Sequence, residues 1–352
     1  MCYIRDDIAR MKGYTPGFQP DEPGFVKLNT NENPYPPSPD AIEAMREACS
    51  EDIRKYPDPL GQPFREAAAE LFGLRPENIL CGCGSDDILT IAVRTFCDRG
   101  DTIAFPYPTY SLYDVLAQIQ GCRPVTTDFP EDYSVPEDLP RIGAELTFLA
   151  NPNAPSGTLI SPDRVLKLAD SVDGVLLIDE AYVDFARTDC LRLVQSCKNV
   201  VVSRTLSKSY GLAGLRFGFA MADEKLIAGM LKAKDSYNVS APGVAGATAA
   251  IQDRAHLRST VERITDTRER LHNILTDLGF HCWPSQTNFV LARAPEDHEA
   301  RDIFQKLFEQ KILVRYFDLP RLDDCLRITV GTGEEIDRLG QALKEILQRG
   351  RG

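Results

Sequence analysis

The sequence has no long apolar run and no block of basic residues. No stretch approaches the roughly 20 apolar residues that a helix needs to cross a bilayer, and no apolar segment follows a basic start. Acidic residues outnumber basic ones by 52 to 40, which gives a formal net charge of -12 and argues against nucleic acid as a partner. We therefore expect a cytoplasmic protein that binds neither membrane nor nucleic acid.

Ligands for a metal ion are also poorly represented. The sequence contains 10 cysteines, which are scattered through predicted strands and helices. Cys81 and Cys83 form the only close pair, and no second pair follows at the spacing typical of zinc ligands. We therefore expect reduced thiols and no bound metal.

The length and composition predict a globular chain of more than one domain. Of the 352 residues, 43% are hydrophobic and 26% are charged, and a chain of this length suits two domains. Residues 1–37 are rich in proline and glycine and predict an extended arm. We predict a large domain over residues 38–252 and a small one over residues 253–352, which the arm completes.

Apolar runs alternate with helical patterns through the predicted large domain. Strands that alternate with helices indicate an α/β fold with a mostly parallel sheet covered on both faces. The small domain repeats this pattern in a shorter set. The predicted strands of the large domain are residues 79–81, 102–105, 122–127, 146–150, 175–178 and 199–203.

Lys208 follows the last of those strands, at a position where open α/β sheets bind ligands. A lysine flanked by Ser207 and Ser209 can lose enough hydration to act as a nucleophilic amine that forms a Schiff base with a carbonyl. Arg216, eight residues further on, could grip phosphate oxygens with its guanidinium fork. The two cations suit a ligand with an aldehyde and a phosphate, such as pyridoxal phosphate. A solvated basic loop would explain Lys208 alone about as well.

Asp179 ends another apolar strand. An acid in that position is costly to bury unless it meets a cation, and a protonated pyridine nitrogen would supply one. The resulting ion pair would keep the pyridine ring an electron sink. Tyr182, three residues later, could reach the hydroxyl of that ring. A structural salt bridge is the alternative explanation of Asp179.

Three further features could serve a ligand. The glycine turn at residues 82–86 opens a helix, so its backbone N–H groups could cradle a phosphate, although a plain turn fits as well. Tyr110 could stack on a planar ring or could be an ordinary core residue. Tyr56 lies on a proline-rich loop, where an exposed ring more often serves recognition than packing.

Two arginines on neighbouring predicted strands could converge on an anion. They are Arg315 and Arg327, and each can offer a bidentate guanidinium. Surface ion pairing is the alternative for Arg315. Arg327 lies within an apolar strand, so its charge must be compensated.

Four stretches of the sequence resemble motifs of the fold type I aminotransferases and follow one another in the same order. They are residues 151–157, 179–182, 207–216 and 326–331. The resemblance is closer to one family among them, the histidinol-phosphate aminotransferases. It rests on residues 28–34, on the Lys55-Tyr-Pro sequence and on the strands of the two arginines. The resemblance covers nearly the whole chain. It implies a mostly parallel seven-stranded sheet, pyridoxal 5'-phosphate as cofactor, and a homodimer with shared sites.

The resemblance also implies a role for each site residue. Lys208 would bind the cofactor covalently and shuttle a proton, Asp179 would pair with the pyridine nitrogen, and Tyr182 would contact the ring oxygen. Tyr110 would stack on the ring. The cofactor phosphate would be held by Ser85, Asp86, Thr205, Ser207 and Arg216, and by Tyr56 from the second subunit.

The implied substrates are histidinol phosphate and the pair glutamate and 2-oxoglutarate. Tyr14 would cross the subunit interface toward the substrate. Arg327 and Arg315 would hold the phosphate of histidinol phosphate and, in the second half-reaction, the carboxylate of glutamate or 2-oxoglutarate. One anion site would thus serve both halves of a ping-pong cycle.

The sequence departs from the family pattern at Ala154, where an asparagine usually contacts the ring oxygen. We expect Tyr182 alone, or Asn153 after a small shift, to make that contact. Alternatives within the same superfamily are an aromatic or broad-range aminotransferase and a threonine-phosphate decarboxylase. A non-catalytic cofactor-binding protein is a further alternative, which the intact lysine, aspartate and arginine argue against.

Overall fold

The computed structural model describes residues 3–14 and 17–349. The predicted arm and small domain also include residues 1–2, 15–16 and 350–352, which lie outside the described residues. The strands are β1 (Val26–Lys27), β2 (Ile79–Gly82), β3 (Thr102–Tyr107), β4 (Arg123–Asp128), β5 (Leu146–Ala150), β6 (Val175–Asp179), β7 (Val200–Thr205), β8 (Gly218–Ala222), β9 (His281–Cys282), β10 (Phe289–Arg293), β11 (Ile312–Leu313), β12 (Arg315–Tyr316) and β13 (Cys325–Thr329).

Helices separate most of these strands, as the sequence predicts. They are α1 (Asp6–Arg10), α2 (Pro39–Ala48), α3 (Gln62–Phe72), α4 (Ser85–Phe96), α5 (Leu112–Gln120), α6 (Pro162–Ala169), α7 (Leu191–Ser196), α8 (Glu224–Ala233), α9 (Ala241–Gln252), α10 (Arg254–Asp277), α11 (Ala300–Glu309) and α12 (Gly333–Arg349). No helix in the described part of the chain is both long enough and apolar enough to cross a membrane.

The large sheet has seven strands in the order β2-β8-β7-β6-β5-β3-β4. The five strands from β7 to β4 are parallel, and β8 is antiparallel to both of its neighbours. In β6, Leu176, Leu177 and Ile178 are all fully buried, because a sheet covered on both faces buries both sides of each strand. The predicted mostly parallel, seven-stranded sheet is therefore confirmed.

Strand β8 was not among the strands that the sequence pattern indicated. Its residues are Gly-Phe-Ala-Met-Ala, and glycine and alanine have little preference for strands. Pairing with β2 and β7 on its two sides, rather than local propensity, holds this segment extended.

The second, four-stranded sheet is antiparallel, in the order β12-β13-β10-β9. A separate apolar core lies beside it and includes Ile264, Leu271, Val290, Ile336 and Leu343. The N-terminal segment adds β1, which pairs in parallel with β11. The domain boundary at residues 252 and 253 stays a prediction.

The register of the large sheet decides where polar side chains meet. Asp179 at the end of β6 pairs with Ala150 on β5 and with Ser203 on β7. The carboxyl ends of these strands therefore lie along one edge of the sheet, where open α/β sheets bind ligands. The loop after β7 carries Lys208 past that edge.

Candidate active site

Lys208 lies in the bend that follows β7 and is half-buried. Its Nζ donates a hydrogen bond to the backbone carbonyl of Thr30, at 3.3 Å, and lies 5.6 Å from the ring centroid of Tyr182. The side-chain amide of Asn33 donates to the carbonyls of Lys208 and Ser209, at 3.0 and 2.9 Å. The N-terminal segment thus holds both the backbone and the amine of the predicted catalytic lysine.

Asp179 is buried, with 5% of its surface exposed. Its carboxylate accepts hydrogen bonds from the hydroxyl of Tyr113, at 2.8 Å, and from the backbone N–H of Ala181, at 3.2 Å. Burial raises the pKa of Asp179 to about 6, although both hydrogen bonds act in the opposite direction. Neither of these partners is a cation, so the structural salt bridge considered above is not what stabilises this acid.

The start of α4 and the Arg216 side chain form a cradle that suits a phosphate. Gly84 has a φ of 85°, and a Cβ there would lie 2.6 Å from Nη2 of Arg216. A Cβ on Gly218 would lie 2.5 Å from the backbone nitrogen of Ser85. The two glycines therefore keep the first N–H groups of the helix open beside a guanidinium, an arrangement that favours an anion.

Hydroxyl groups complete this cradle. The hydroxyl of Ser207 accepts a hydrogen bond from Nη1 of Arg216, at 3.3 Å, and another from the hydroxyl of Thr205, at 3.0 Å. The second nitrogen, Nη2, lies 3.5 Å from the carboxylate of Asp86. The structure thus brings together all five predicted phosphate-binding residues of a single chain.

Tyr110 lies at the border between this cradle and Asp179. Its hydroxyl donates to Asp86, at 3.2 Å, and its ring meets Tyr113 edge to face, at 5.6 Å. Burial raises the pKa of Tyr110 well above its ordinary value. The ring of Tyr14 packs edge to face on Tyr110, at 5.9 Å. Tyr14 thus lies beside the site of its own chain. The prediction that it crosses to a second subunit stays a prediction.

Tyr182 has a partner that the sequence analysis did not identify. Its hydroxyl oxygen accepts a hydrogen bond from the side-chain amide of Asn31, at 2.9 Å. Asn153 is buried, and its amide nitrogen donates to the carbonyl of Pro108 and to the hydroxyl of Ser156. The donor groups of Asn153 are thus already engaged in holding loops together.

The two predicted anion-binding arginines lie directly opposite each other on β12 and β13. Nη2 of Arg327 donates to the carbonyl of Asn29, at 3.1 Å, while its buried Nε has no hydrogen-bond partner among the described residues. Burial lowers the pKa of Arg327, and the nearby charge of Arg315 lowers it further. Because an arginine stays charged in a protein, a bound anion would relieve this arrangement.

Tyr56 stands apart from the groups around Asp179. Its side chain is 80% exposed and stacks on Tyr237, with 4.4 Å between the ring centroids. Tyr56 and Arg216 both line a cavity of about 340 Å³. The prediction that Tyr56 serves a second subunit stays a prediction.

The sequence model of the family described as aminotransferase class I and II matches residues 23–343. This chain belongs to that family. Histidinol-phosphate aminotransferase 1 of Trichormus variabilis is 45% identical to it over 98% of this chain and 99% of the relative. Histidinol-phosphate aminotransferase of Geotalea daltonii is 46% identical over 98% of this chain and 100% of the relative.

A solved structure is similar to this aminotransferase over most of its length. Histidinol-phosphate aminotransferase from Sinorhizobium meliloti, in complex with pyridoxal-5'-phosphate, superposes with a TM-score of 0.85 and 31% identity. The match covers 92% of this chain and 90% of the other. The predictions of a fold type I architecture and of an aminotransferase are therefore confirmed.

The site of this aminotransferase suits pyridoxal phosphate in three places. A buried acid that forms no salt bridge among the described residues would meet the pyridine nitrogen, an open helix N-terminus beside Arg216 would meet the phosphate, and Lys208 supplies the amine. Among the described residues, no group of three or more His, Cys, Asp or Glu side chains could hold a metal ion.

Sequence reasoning missed two residues of the site. Tyr113 lies in the first turn of α5, where its ring stacks on Phe148 and fits an ordinary apolar helix face. Asn31 belongs to a polar, turn-rich segment that carries no periodic signal. Its density of asparagines, at positions 29, 31 and 33, was the available clue, since asparagine side chains readily bond to nearby backbone.

Proposed function

We propose that this aminotransferase transfers the amino group of histidinol phosphate to 2-oxoglutarate, giving imidazole acetol phosphate and glutamate in histidine biosynthesis. One observation carries the proposal. Arg327 and Lys208 donate hydrogen bonds to two successive backbone carbonyls, those of Asn29 and Thr30, at 3.1 and 3.3 Å. The arginine pair and the amine therefore border one space, which suits an amine substrate with an anionic group at its other end.

The cofactor is pyridoxal 5'-phosphate, which when bound supplies an electron sink for negative charge on the substrate carbon. Asp179 would keep a positive charge on the pyridine nitrogen, because its buried carboxylate forms no salt bridge among the described residues. The phosphate is held by the first backbone N–H groups of α4, by Thr205 and Ser207, and by Arg216. Tyr110 packs against the ring.

Lys208 performs the proton transfers. Its Nζ has a backbone carbonyl as hydrogen-bond acceptor and lies close to Tyr182. From this position the amine would hold the cofactor in the resting enzyme, and as a free base it would carry the proton that the substrate carbon loses and that the amino-group transfer returns.

Arg315 and Arg327 select the substrate. In the first half-reaction the pair binds the phosphate of histidinol phosphate, and in the second it binds a carboxylate of 2-oxoglutarate. The buried, unpartnered Nε of Arg327 supports this role, because a buried donor that lacks an acceptor destabilises the protein without its ligand.

The proposal includes a homodimer in the cytoplasm. An exposed aromatic patch supports the dimer, since Tyr56 and Tyr237 are 80% and 47% exposed and stack on each other. Tyr56 reaches the phosphate site of the second subunit from this patch. No nucleic-acid or membrane partner forms part of the proposal.

A half-reaction screen tests the substrate. The holoenzyme is mixed with histidinol phosphate, phenylalanine or threonine phosphate, and the loss of cofactor absorbance is followed for each amine. We expect histidinol phosphate to react fastest and to turn over with 2-oxoglutarate as acceptor. Lys208→Ala provides the inactive control. A phenylalanine rate above that of histidinol phosphate, or release of carbon dioxide from threonine phosphate, would contradict the assignment.

Subunit mixing tests the shared site. Lys208→Ala and Tyr56→Ala are prepared separately, and the two variants are then mixed under conditions that exchange subunits. If Tyr56 serves the second subunit, each mixed dimer contains one complete site, and activity rises well above that of either parent. If Tyr56 serves its own chain, no mixed dimer has a complete site and the activity stays at the parental level.

A further inference from the structure

Asn31 occupies a strained position between the N-terminal segment, the small sheet and the active site. It is 1% exposed and has a φ of 56°, a left-handed conformation that asparagine tolerates better than most residues. Its backbone N–H donates to the hydroxyl of Thr329, at 3.0 Å, and its carbonyl accepts from the amide of Asn288, at 3.0 Å. Backbone strain that is held in place by surrounding contacts in this way is commonly found at functional sites.

The hydrogen bonds also decide which way the amide of Asn31 points. The hydroxyl of Thr329 already accepts the backbone N–H of Asn31, so its own proton needs an acceptor. Oδ1 of Asn31 lies 3.0 Å away and provides it. A reversed amide would direct an N–H at that hydroxyl and leave its proton unpaired. Nδ2 therefore points to Tyr182, 2.9 Å away.

This orientation has a consequence for Tyr182. Because the phenol oxygen accepts a hydrogen bond from Asn31, the phenol proton stays available to donate elsewhere. A hydroxyl that accepts one hydrogen bond also becomes a stronger donor in the next. Among the described residues, Lys208 lies over this ring, with its Nζ 5.6 Å from the centroid, and Arg327 interacts with the phenol electrostatically. The amide of Asn153 is engaged with other partners, and Ala154 has no polar side-chain atom.

We propose that Asn31 is a positioning residue, which aims the hydroxyl of Tyr182 at the ring oxygen of the cofactor and strengthens that hydrogen bond. This inference rests on the proposed function and adds to it a residue that never touches the cofactor. It also assigns a purpose to the N-terminal segment: the stretch that contacts Lys208 and Arg327 through its carbonyls tunes the cofactor through one side chain.

The test is a spectrophotometric pH titration of the holoenzyme. The cofactor bound to Lys208 changes its visible absorption when it loses a proton, and a good donor to the ring oxygen lowers the midpoint of that titration. Asn31→Gly keeps the left-handed backbone and removes the donor. We expect its midpoint to rise by about half to one pH unit, the size of one lost hydrogen bond.

Asn29→Gly is the matched control. It removes a second buried asparagine from the same segment, whose amide donates to the carbonyl of Phe18 rather than to the site. We expect its midpoint to equal that of the wild type. Tyr182→Phe should raise the midpoint on its own, and adding Asn31→Gly to Tyr182→Phe should shift it no further, because the effect passes through the phenol.

Each result has a defined meaning. An unchanged midpoint in Asn31→Gly, an equal shift in Asn29→Gly, or a shift that persists without the phenol overturns the positioning role while the proposed function stands. A wild type without a visible chromophore, or without turnover of histidinol phosphate, overturns the proposed function itself. If Asn31→Gly does not fold, Asn31→Asp replaces it, because aspartate has nearly the same shape as asparagine. The part of its midpoint shift that disappears when Tyr182→Phe is added measures the same coupling.

Discussion

Asp179 and Glu180 are consecutive acids at the end of β6, and both are buried. Consecutive side chains of an extended backbone point to opposite faces of a sheet, so they have different neighbours. Glu180 accepts hydrogen bonds from Nε of Arg204, at 2.9 Å, and from the backbone N–H of Cys190, at 2.6 Å, and it forms an ion pair with Nη2 of Arg204, at 2.8 Å. Among the described residues, the carboxylate of Asp179 accepts only from a phenol and a peptide group.

The same contrast holds for the two arginines. Arg204 has carboxylates on two sides, Glu180 and Asp189, and its guanidinium lies over the ring of Phe72. Arg327 faces another arginine and leaves one buried nitrogen without a partner among the described residues. Glu180 and Arg204 neutralise each other within the chain, whereas Asp179 and Arg327, which lie on different sheets, form no salt bridge among the described residues and would take a cation and an anion from outside. Buried charges that lack a partner thus locate the site.

The largest effect should follow the loss of charge at Asp179. Asp179→Asn keeps the shape and both hydrogen-bonding positions but no longer holds a positive charge on the cofactor nitrogen. We expect kcat for histidinol phosphate to fall on the order of 10³-fold, with no loss of folding stability. Steady-state kinetics with saturating cofactor provide the measurement. A decrease of less than tenfold would mean that the unpaired carboxylate is not part of the chemistry.

The matched change on the other face should act on stability instead. Glu180→Gln leaves the guanidinium of Arg204 buried, with the partly exposed Asp189 as its remaining salt-bridge partner among the described residues. We expect the free energy of unfolding to decrease by about 3 kcal/mol, with kcat per folded molecule close to that of the wild type. Urea denaturation and active-site titration separate the two quantities. A variant with normal stability but low kcat would show that Glu180 also serves catalysis, and that the two acids do not differ in role as proposed.

Much of this arrangement was predictable from local signals. Asp179 ends one apolar strand and Lys208 follows another, so the strand pattern alone places these two residues along one sheet edge. Arg216 precedes β8, a strand that the pattern did not indicate. The partners of these residues were not predictable, because they lie far away in the sequence. Asn31 meets a threonine 298 positions later. The sequence pattern around Tyr113 indicates a residue of the hydrophobic core. Only the folded chain brings its hydroxyl to an acid 66 positions away.

The pH dependence of stability provides a third comparison. The pKa of Asp179 is raised from its usual value near 4 to about 6 in the folded protein, so the folded state binds the proton more tightly. In the cofactor-free protein, Asp179 contributes most favourably to the free energy of unfolding below pH 4. That contribution is lost as the pH rises through 6. The loss reaches at most about 3 kcal/mol by pH 7.

Asp179→Asn isolates this contribution. We expect the difference in unfolding free energy between wild type and variant to change between pH 4 and pH 7, with the wild type losing stability relative to the variant. Saturation with cofactor should reduce the change, because the carboxylate then has a cationic partner. Parallel pH profiles of wild type and Asp179→Asn would show that this acid stays ionised throughout.

The smallest effect should come from Tyr113→Phe, which removes one neutral donor from the unpaired acid. The hydrogen bond from Tyr113 lowers the pKa of Asp179, so the variant should hold its proton to a higher pH and bind the cofactor less tightly near neutrality. We expect cofactor binding at pH 7 to weaken by about 1 kcal/mol, which is roughly fivefold in Kd. The difference should be smaller at pH 8.5. Tyr133→Phe, a buried ring that packs on Phe129 and Trp283 instead, controls for the loss of any buried hydroxyl. Equal weakening in both variants would mean that the phenol only supports packing, and that the charge of Asp179 alone distinguishes its face from that of Glu180.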